Sequence, residues 1–372
     1  MTVLFKCLIA GAVCAATWIG VAKAAGDSAS YHVGETRRLF HPPVARHWRG
    51  AKTEALVTTI WYPVAPEIPE IAHDIGPPGH PIFFGHAAAI DAPPSPARSK
   101  YPLLLLSHGT AGTAGSLDWL GSALAAAGYI VAGVNHPGNN GLEPVTREGF
   151  MLWWERATDL SEALDGILAD PTLGARIDQR RIGAVGFSLG GYTVLELAGA
   201  RTNFQAFENF CASPAADAIC HPPEMARLGS DVHPPAVTWS AATAASFARS
   251  GQSYKDPRIT AVFAIAPALG EAFDTASFAD VDVPVSMLAG ASDTTVPIAT
   301  NIRRIAGLLP TARVTMLAGA GHYTFLDICV PSAAERLPGV CADNPGVDRG
   351  AVHARTIEQV LAFFAETLAA GK

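Results

Sequence analysis

The chain is short of charge. Aspartate, glutamate, lysine and arginine make up 16% of its 372 residues, against 49% hydrophobic residues. That excludes a disordered polyelectrolyte and points to a large packed core. Cations are scarce: 26 Lys and Arg stand against 33 Asp and Glu, for a formal charge of -7. They are also dispersed. This excludes the basic face that nucleic acid requires and a polybasic patch for a membrane surface. No dinucleotide-binding fingerprint is present. The run "GTAGTAG" from Gly109 to Gly115 lacks the Lys-Ser/Thr ending of a phosphate loop. There is no C-x-x-C spacing, and no histidine–carboxylate spacing suggests a metal. No metal or organic cofactor is therefore expected. Beyond residue 24 no apolar window is long enough to span a membrane.

Apolar length is confined to the start. Lys6 gives a positive n-region, Cys7 to Val21 is apolar, and Ala22-Lys23-Ala24 is an A-x-A cleavage site. Residues 1–24 read as a signal peptide. The expected location is periplasmic or secreted, with no stable membrane anchor after cleavage. Of six cysteines, Cys7 and Cys14 leave with the signal. Cys211, Cys220, Cys329 and Cys341 remain, an even count that suits disulfides in an oxidising compartment. Four cysteines allow three pairings. Cys211–Cys220 and Cys329–Cys341 are favoured, because each pair encloses a short Pro-containing loop.

Strand and helix patterns then alternate. "EALVTTIWYPV" (54–64) reads as a strand, and 66–99 as a long Pro-rich surface connection. "YPLLLLS" and "YIVAGVN" are continuous apolar runs, as strands buried on both faces of a parallel sheet require. Residues 116–127, 153–169, 190–200 and 355–368 read as helices, and "RIGAVGF", "RITAVFAIAP", "VPVSMLAG" and "ARVTMLAG" as further strands. The fold class is α/β, with a mostly parallel central sheet and helices on both faces. One segment, 202–257, is too long for an ordinary connection. It holds Cys211, Cys220, several prolines and a helical stretch at 241–249, and reads as a cap over the strand ends. No second domain with its own core is visible.

Gly186-Phe187-Ser188-Leu189-Gly190 is a G-x-S-x-G motif between a buried strand and a helix. That context forces the serine into a sharp turn with its oxygen exposed. Side chains at Gly186 or Gly190 would crowd the turn. A hydroxyl needs a base to become a nucleophile, and histidine is the usual one. Of 12 histidines, His322 sits in a Gly-rich loop just past the last strand, at the same sheet edge as Ser188. Asp293 follows the preceding strand and supplies the acid, with Asp274 and Asp327 as rivals. Asp327, so close to His322, reads as a loop-bracing carboxylate. The oxyanion donors fall on the backbone N–H groups of Leu189 and Thr110. His108 reads as a brace for the Thr110 loop and His136 as a turn residue. Trp153 and Trp154 read as packing, and Arg156 with Asp159 as an internal ion pair.

With "LLLLSHGTAG", "VNHPG", "GFSLGGYT", "AGASDTTVP" and "GAGHYTFLD" in this order, the chain from Tyr31 onward resembles predicted dienelactone hydrolases of the α/β-hydrolase superfamily. These are similar to platelet-activating-factor acetylhydrolases and, more distantly, to bacterial polyester hydrolases. The resemblance implies a single α/β-hydrolase domain over 25–372 with nucleophile Ser188, acid Asp293, base His322 and oxyanion donors Thr110 and Leu189. It differs in three places, the first being the 202–257 excursion with its cysteines, which is not a general feature of the superfamily. Dienelactone hydrolases carry cysteine as nucleophile, and the acetylhydrolases carry His and Phe where Phe187 and Leu189 stand. The expected activity is an exported serine esterase acting on small-molecule carboxylic esters of short acyl or small aromatic type. An amidase or peptidase on the same triad and a silent binding protein on the same fold are the alternatives. No oligomeric state follows from the sequence. The export reading predicts that N-terminal sequencing of protein recovered outside the cytoplasm begins at Ala25; an intact Met1 there would contradict it.

Overall fold

The computed structural model describes residues 30–228 and 239–369. The expected signal segment and part of the 202–257 excursion lie outside the described residues. Eleven strands occur among them: β1 (His32–Phe40), β2 (Leu56–Val64), β3 (Asp74–Ile75), β4 (Phe83–Phe84), β5 (Ala89–Ile90), β6 (Tyr101–Ser107), β7 (Ile130–Asn135), β8 (Ile177–Phe187), β9 (Val262–Ile265), β10 (Val285–Gly290) and β11 (Arg313–Leu317). Nine form one sheet in the order β11-β10-β9-β8-β6-β7-β2-β1-β5, and β3 pairs with β4 separately. From β11 to β7 every pairing is parallel. The β2 strand is antiparallel to both β7 and β1. The mostly parallel sheet holds, with an antiparallel end.

The centre of the sheet follows directly from composition. Every residue of β6 and β7 is buried, because each strand has a neighbour on both sides and helices above and below. The helix Asp118–Ala126 packs on β2 and β7 and against Arg349–Thr367; the helix Glu155–Leu168 packs on β6 and against Leu189–Leu197. The edges differ from expectation. β1 is an unforeseen strand: "HVGETRRLF" mixes polar and apolar residues because it lies near the edge, paired along its whole length with β2. β11, at the other end of the sheet, is half-exposed as an edge strand. The 66–99 connection contributes β3, β4 and β5, the last pairing with β1.

The order 10-9-8-6 brings the carboxyl ends of β6, β8, β9 and β10 side by side. That is where ligands bind in open α/β sheets. Two disulfides, Cys211–Cys220 and Cys329–Cys341, tie the loops at this edge. Each closes a short loop, for which chain entropy gives roughly 2–3 kcal/mol of stabilisation.

Candidate active site

β8 ends at Phe187, and the helix Leu189–Leu197 starts after a single residue. That residue is Ser188, at φ 58°, ψ -120°. For a non-glycine residue such a conformation costs on the order of 1–3 kcal/mol and persists only where its surroundings enforce it. Here they do. The Ser188 N–H donates to Ile265 O at 2.8 Å, and its carbonyl accepts from Gly191 at 2.9 Å and Ala268 at 3.2 Å. Glycines make the room. A Cβ on Gly186 would sit 2.1 Å from Gly190 O, and one on Gly190 would sit 1.9 Å from Ser107 O.

His322 and Asp293 arrive from two other strand ends. Asp293 follows β10, and its Oδ1 accepts the N–H groups of Thr295 (3.0 Å) and Val296 (2.8 Å). This fixes the carboxylate and leaves Oδ2 free to face His322 Nδ1 at 2.7 Å. The other ring nitrogen, Nε2, lies 2.9 Å from Ser188 Oγ. With Nδ1–H donated to the carboxylate, Nε2 carries the lone pair and is placed to accept a hydrogen bond from the serine hydroxyl. All three residues are buried. The Phe187 ring packs against the imidazole at 4.8 Å between centroids.

The rival acids lie elsewhere. Asp274 accepts from Asn203 Nδ2 at 2.6 Å and from the N–H groups of Ala276 and Ser277. Asp327 accepts weakly from Trp119 N–H at 3.3 Å, while its own N–H donates to Ser116 O. It braces the loop that follows His322. The Trp119 indole N–H adds a bond to Phe325 O at 3.0 Å, and the Cys329–Cys341 bridge closes the same region.

Ser188 and His322 open into a cavity of about 410 Å³. Thr110 and Leu189 line it too, so both expected oxyanion residues share this cavity with Ser188. The walls are mostly apolar: Phe150, Trp153, Phe204, Phe207, Leu269 and Val296 among others. Cys211 and Cys220 also line it, so the first disulfide is part of the wall. Glu208, His221 and Glu224 are its charged or titratable groups besides His322.

Residues 103–337 match the α/β hydrolase family. The chain belongs to that family. Among curated relatives it is 36% identical over 91 residues to Lipase 1 of Moraxella sp. (strain TA144), which is 24% of this chain and 25% of the lipase. It is 32% identical over 110 residues to Cutinase est1 of Thermobifida alba, covering 29% of this chain and 34% of the cutinase. The chain thus spans only about a quarter to a third of the length of these relatives. The solved structure of a ferulic acid esterase from Streptomyces cinnamoneus superposes over 93% of this chain and 92% of that one, with TM-score 0.58 and 21% identity. That likeness shows the shared fold.

In this α/β hydrolase several side chains depart from their sequence reading. Trp153 is a wall of the cavity, with Phe207 edge-on at 4.9 Å, whereas Trp154 is core and donates to Ser246 Oγ at 2.9 Å. His136 is wholly buried and bridges Ser107 Oγ (2.9 Å) and Asp159 Oδ2 (3.1 Å). Asp159 pairs with Arg46 and Arg49, not with Arg156. These partners lie over a hundred residues apart, so local spacing could not reveal them. Histidine–carboxylate clusters do form by folding: Glu35, His73 and Asp118, and His86, Asp118 and Asp327, each bring ligand atoms within 4.8 Å of one another. Asp118, common to both, already accepts from Trp61, Ser122 and both donors of His86. Its oxygens are occupied.

Glu196 sits on the helix that follows Ser188 and is wholly buried. Its Oε1 accepts from Tyr192 Oη at 2.7 Å and from Thr202 Oγ1, while Oε2 has no partner among the described residues. Burial, outweighing those bonds, raises its carboxyl to about 8. Glu35 moves the same way, to about 7, through burial and the neighbouring Asp118. A folded pKa above the unfolded one means that the folded state holds its proton more tightly. This stabilisation is complete below the ordinary glutamate value of 4.5 and is lost as pH rises through about 8. Urea unfolding should therefore show stability declining from about pH 5 to about pH 9, and Glu196→Gln should flatten the decline. An unchanged slope in Glu196→Gln would contradict this.

Proposed function

We propose that the protein is an exported serine hydrolase of carboxylic esters. The carrying observation is the directed chain Ser188 Oγ, His322 Nε2, His322 Nδ1, Asp293 Oδ2 at the floor of an apolar cavity. Ser188 is the nucleophile, His322 the base and Asp293 the residue that holds the imidazole and stabilises its cation. As Oγ attacks the ester carbonyl, His322 takes its proton. The Thr110 and Leu189 N–H groups receive the oxyanion, helped by the positive end of the helix Leu189–Leu197. His322 returns the proton to the departing alcohol, an acyl-serine remains, and water activated by the same imidazole releases the acid.

The cavity supports the substrate class. Its volume and its Phe150, Trp153, Phe204 and Phe207 lining suit short-acyl or small aromatic esters. The excursion 202–257 acts as the cap, since Phe204, Phe207, Cys211, Cys220 and Met225 form one side of the cavity. Lipase, cutinase and ferulic acid esterase are the activities named for the relatives above, and all are ester hydrolases. The finer likeness to dienelactone hydrolases and acetylhydrolases rests on the motifs alone. Export is supported by the A-x-A site and by the two disulfides, which persist in oxidising compartments.

Kinetics on a p-nitrophenyl ester and the matched p-nitroanilide test the reading. Ser188→Ala should lose about 10⁴-fold or more in kcat, and a fluorophosphonate should add once to the native protein and not to Ser188→Ala. Ester should be cleaved far faster than anilide. Full activity in Ser188→Ala would overturn the assignment, and preference for the anilide would make the enzyme an amidase.

A further inference from the structure

The Thr110 N–H belongs to the peptide group whose carbonyl is that of Gly109. That carbonyl accepts from His108 Nδ1 at 2.7 Å and from the Gly112 N–H at 3.2 Å. With its oxygen end tied twice, the peptide cannot rotate, and the direction of its N–H is set. The His108 tautomer is fixed as well. Its Nε2 accepts the His136 N–H at 3.2 Å, so the ring proton sits on Nδ1. Burial and the nearby Arg156 charge push the His108 imidazole well below its ordinary range, which keeps it neutral.

What holds His108 is a second buried chain behind the loop. Arg156 Nη2 donates to the His108 carbonyl and, at 3.3 Å, to Ser107 Oγ. Ser107 Oγ lies 2.9 Å from His136 Nε2, and His136 Nδ1 lies 3.1 Å from Asp159 Oδ2. Asp159 is held ionised by Arg46 and Arg49. The directions follow: Arg156 gives to Ser107, Ser107 to His136, and His136 to Asp159. The residue order copies that at Ser188, but Ser107 is wholly buried and its oxygen accepts from a cation. It has neither access to substrate nor a nucleophilic lone pair to spare. Arg156 is placed at a cost. It is buried, makes no ion pair within 4 Å among the described residues, and leaves Nε and Nη1 without partners. Burial draws its guanidinium down to about 9. Packing alone would be served better by an apolar side chain.

We infer that Arg156 is a positioning residue for the reaction at Ser188: its grip on the His108 carbonyl and the Ser107 hydroxyl fixes the end of β6 and so aims the Thr110 N–H at the developing oxyanion. This rests on the esterase reading above.

The test compares wild type, Ser188→Ala, Arg156→Met, Arg156→Lys and Ser107→Ala on one p-nitrophenyl ester, with pH profiles and thermal unfolding for each. Arg156→Met should lower kcat by about 10²-fold, the worth of one oxyanion donor, with KM little changed. Its acid limb in kcat/KM should match wild type, because the Ser188–His322–Asp293 chain is untouched. Arg156→Lys, which restores a charged donor, should recover part of the loss, and Ser107→Ala should lose about tenfold. A folded Arg156→Met with kcat within about twofold of wild type would overturn the inference, whatever its melting temperature. So would a loss accompanied by a shifted acid limb, which would mean that Arg156 acts through His322. If Arg156→Met does not fold, Ser107→Ala decides: wild-type kcat there overturns the inference. If wild type has no turnover that depends on Ser188, the esterase reading fails first and this inference falls with it.

Discussion

The turn at Ser188 holds a serine at φ 58° between a buried strand and a buried helix, and the molecule is arranged around making that possible. The turn is tight enough that Gly190 meets Ser107 O, the end of the neighbouring strand β6. The strand that ends at Ser188 and the strand that leads to the Thr110 loop therefore approach each other closely through their backbones. Neither can move without the other. β8 is central to the sheet, with β6 and β9 on its two sides, so the strain is held by the most rigid part of the fold. Mobile loops could not keep such a conformation.

A chain with few charges places several of them inside. Asp159 is buried together with Arg46 and Arg49, while Glu155 and Asp256 are buried carboxylates paired with the half-exposed Arg249 and Arg258. Buried pairs are weak evidence for stability. Their value here is geometric, since a charged hydrogen bond fixes direction as well as distance. The same logic applies to Asp293, whose first oxygen is taken by two backbone N–H groups so that the second can face His322 alone.

Much of this was legible in the sequence, for physical reasons. Strands buried on both faces must be continuously apolar, so β6, β7 and β8 stand out as runs. A strand–turn–helix with glycines around one serine has few structural meanings, and loops after parallel strands share one edge. Those facts single out Ser188, Asp293 and His322, whose side chains the fold brings within hydrogen-bond distance of one another. β1 escaped because a strand near the sheet's edge needs no apolar run. Trp153 escaped because a helix-start tryptophan looks the same whether it faces core or cavity. His136, Arg46 and Arg49 escaped because their partners lie far along the chain, and residue spacing carries no record of such contacts. The clusters around Asp118 were hidden in the same way.

In the proposed reaction Ser188 and two backbone N–H groups meet at one reacting carbon. The most direct measurement is a crystal structure of the protein inhibited by an aryl alkylphosphonate. The expected structure has a bond from Ser188 Oγ to phosphorus, with the phosphonyl oxygen about 2.7–3.1 Å from both the Thr110 and Leu189 nitrogens and the apolar group among Trp153, Phe204 and Phe207. A phosphonyl oxygen turned away from those nitrogens, or phosphorus bound to another residue, would contradict it.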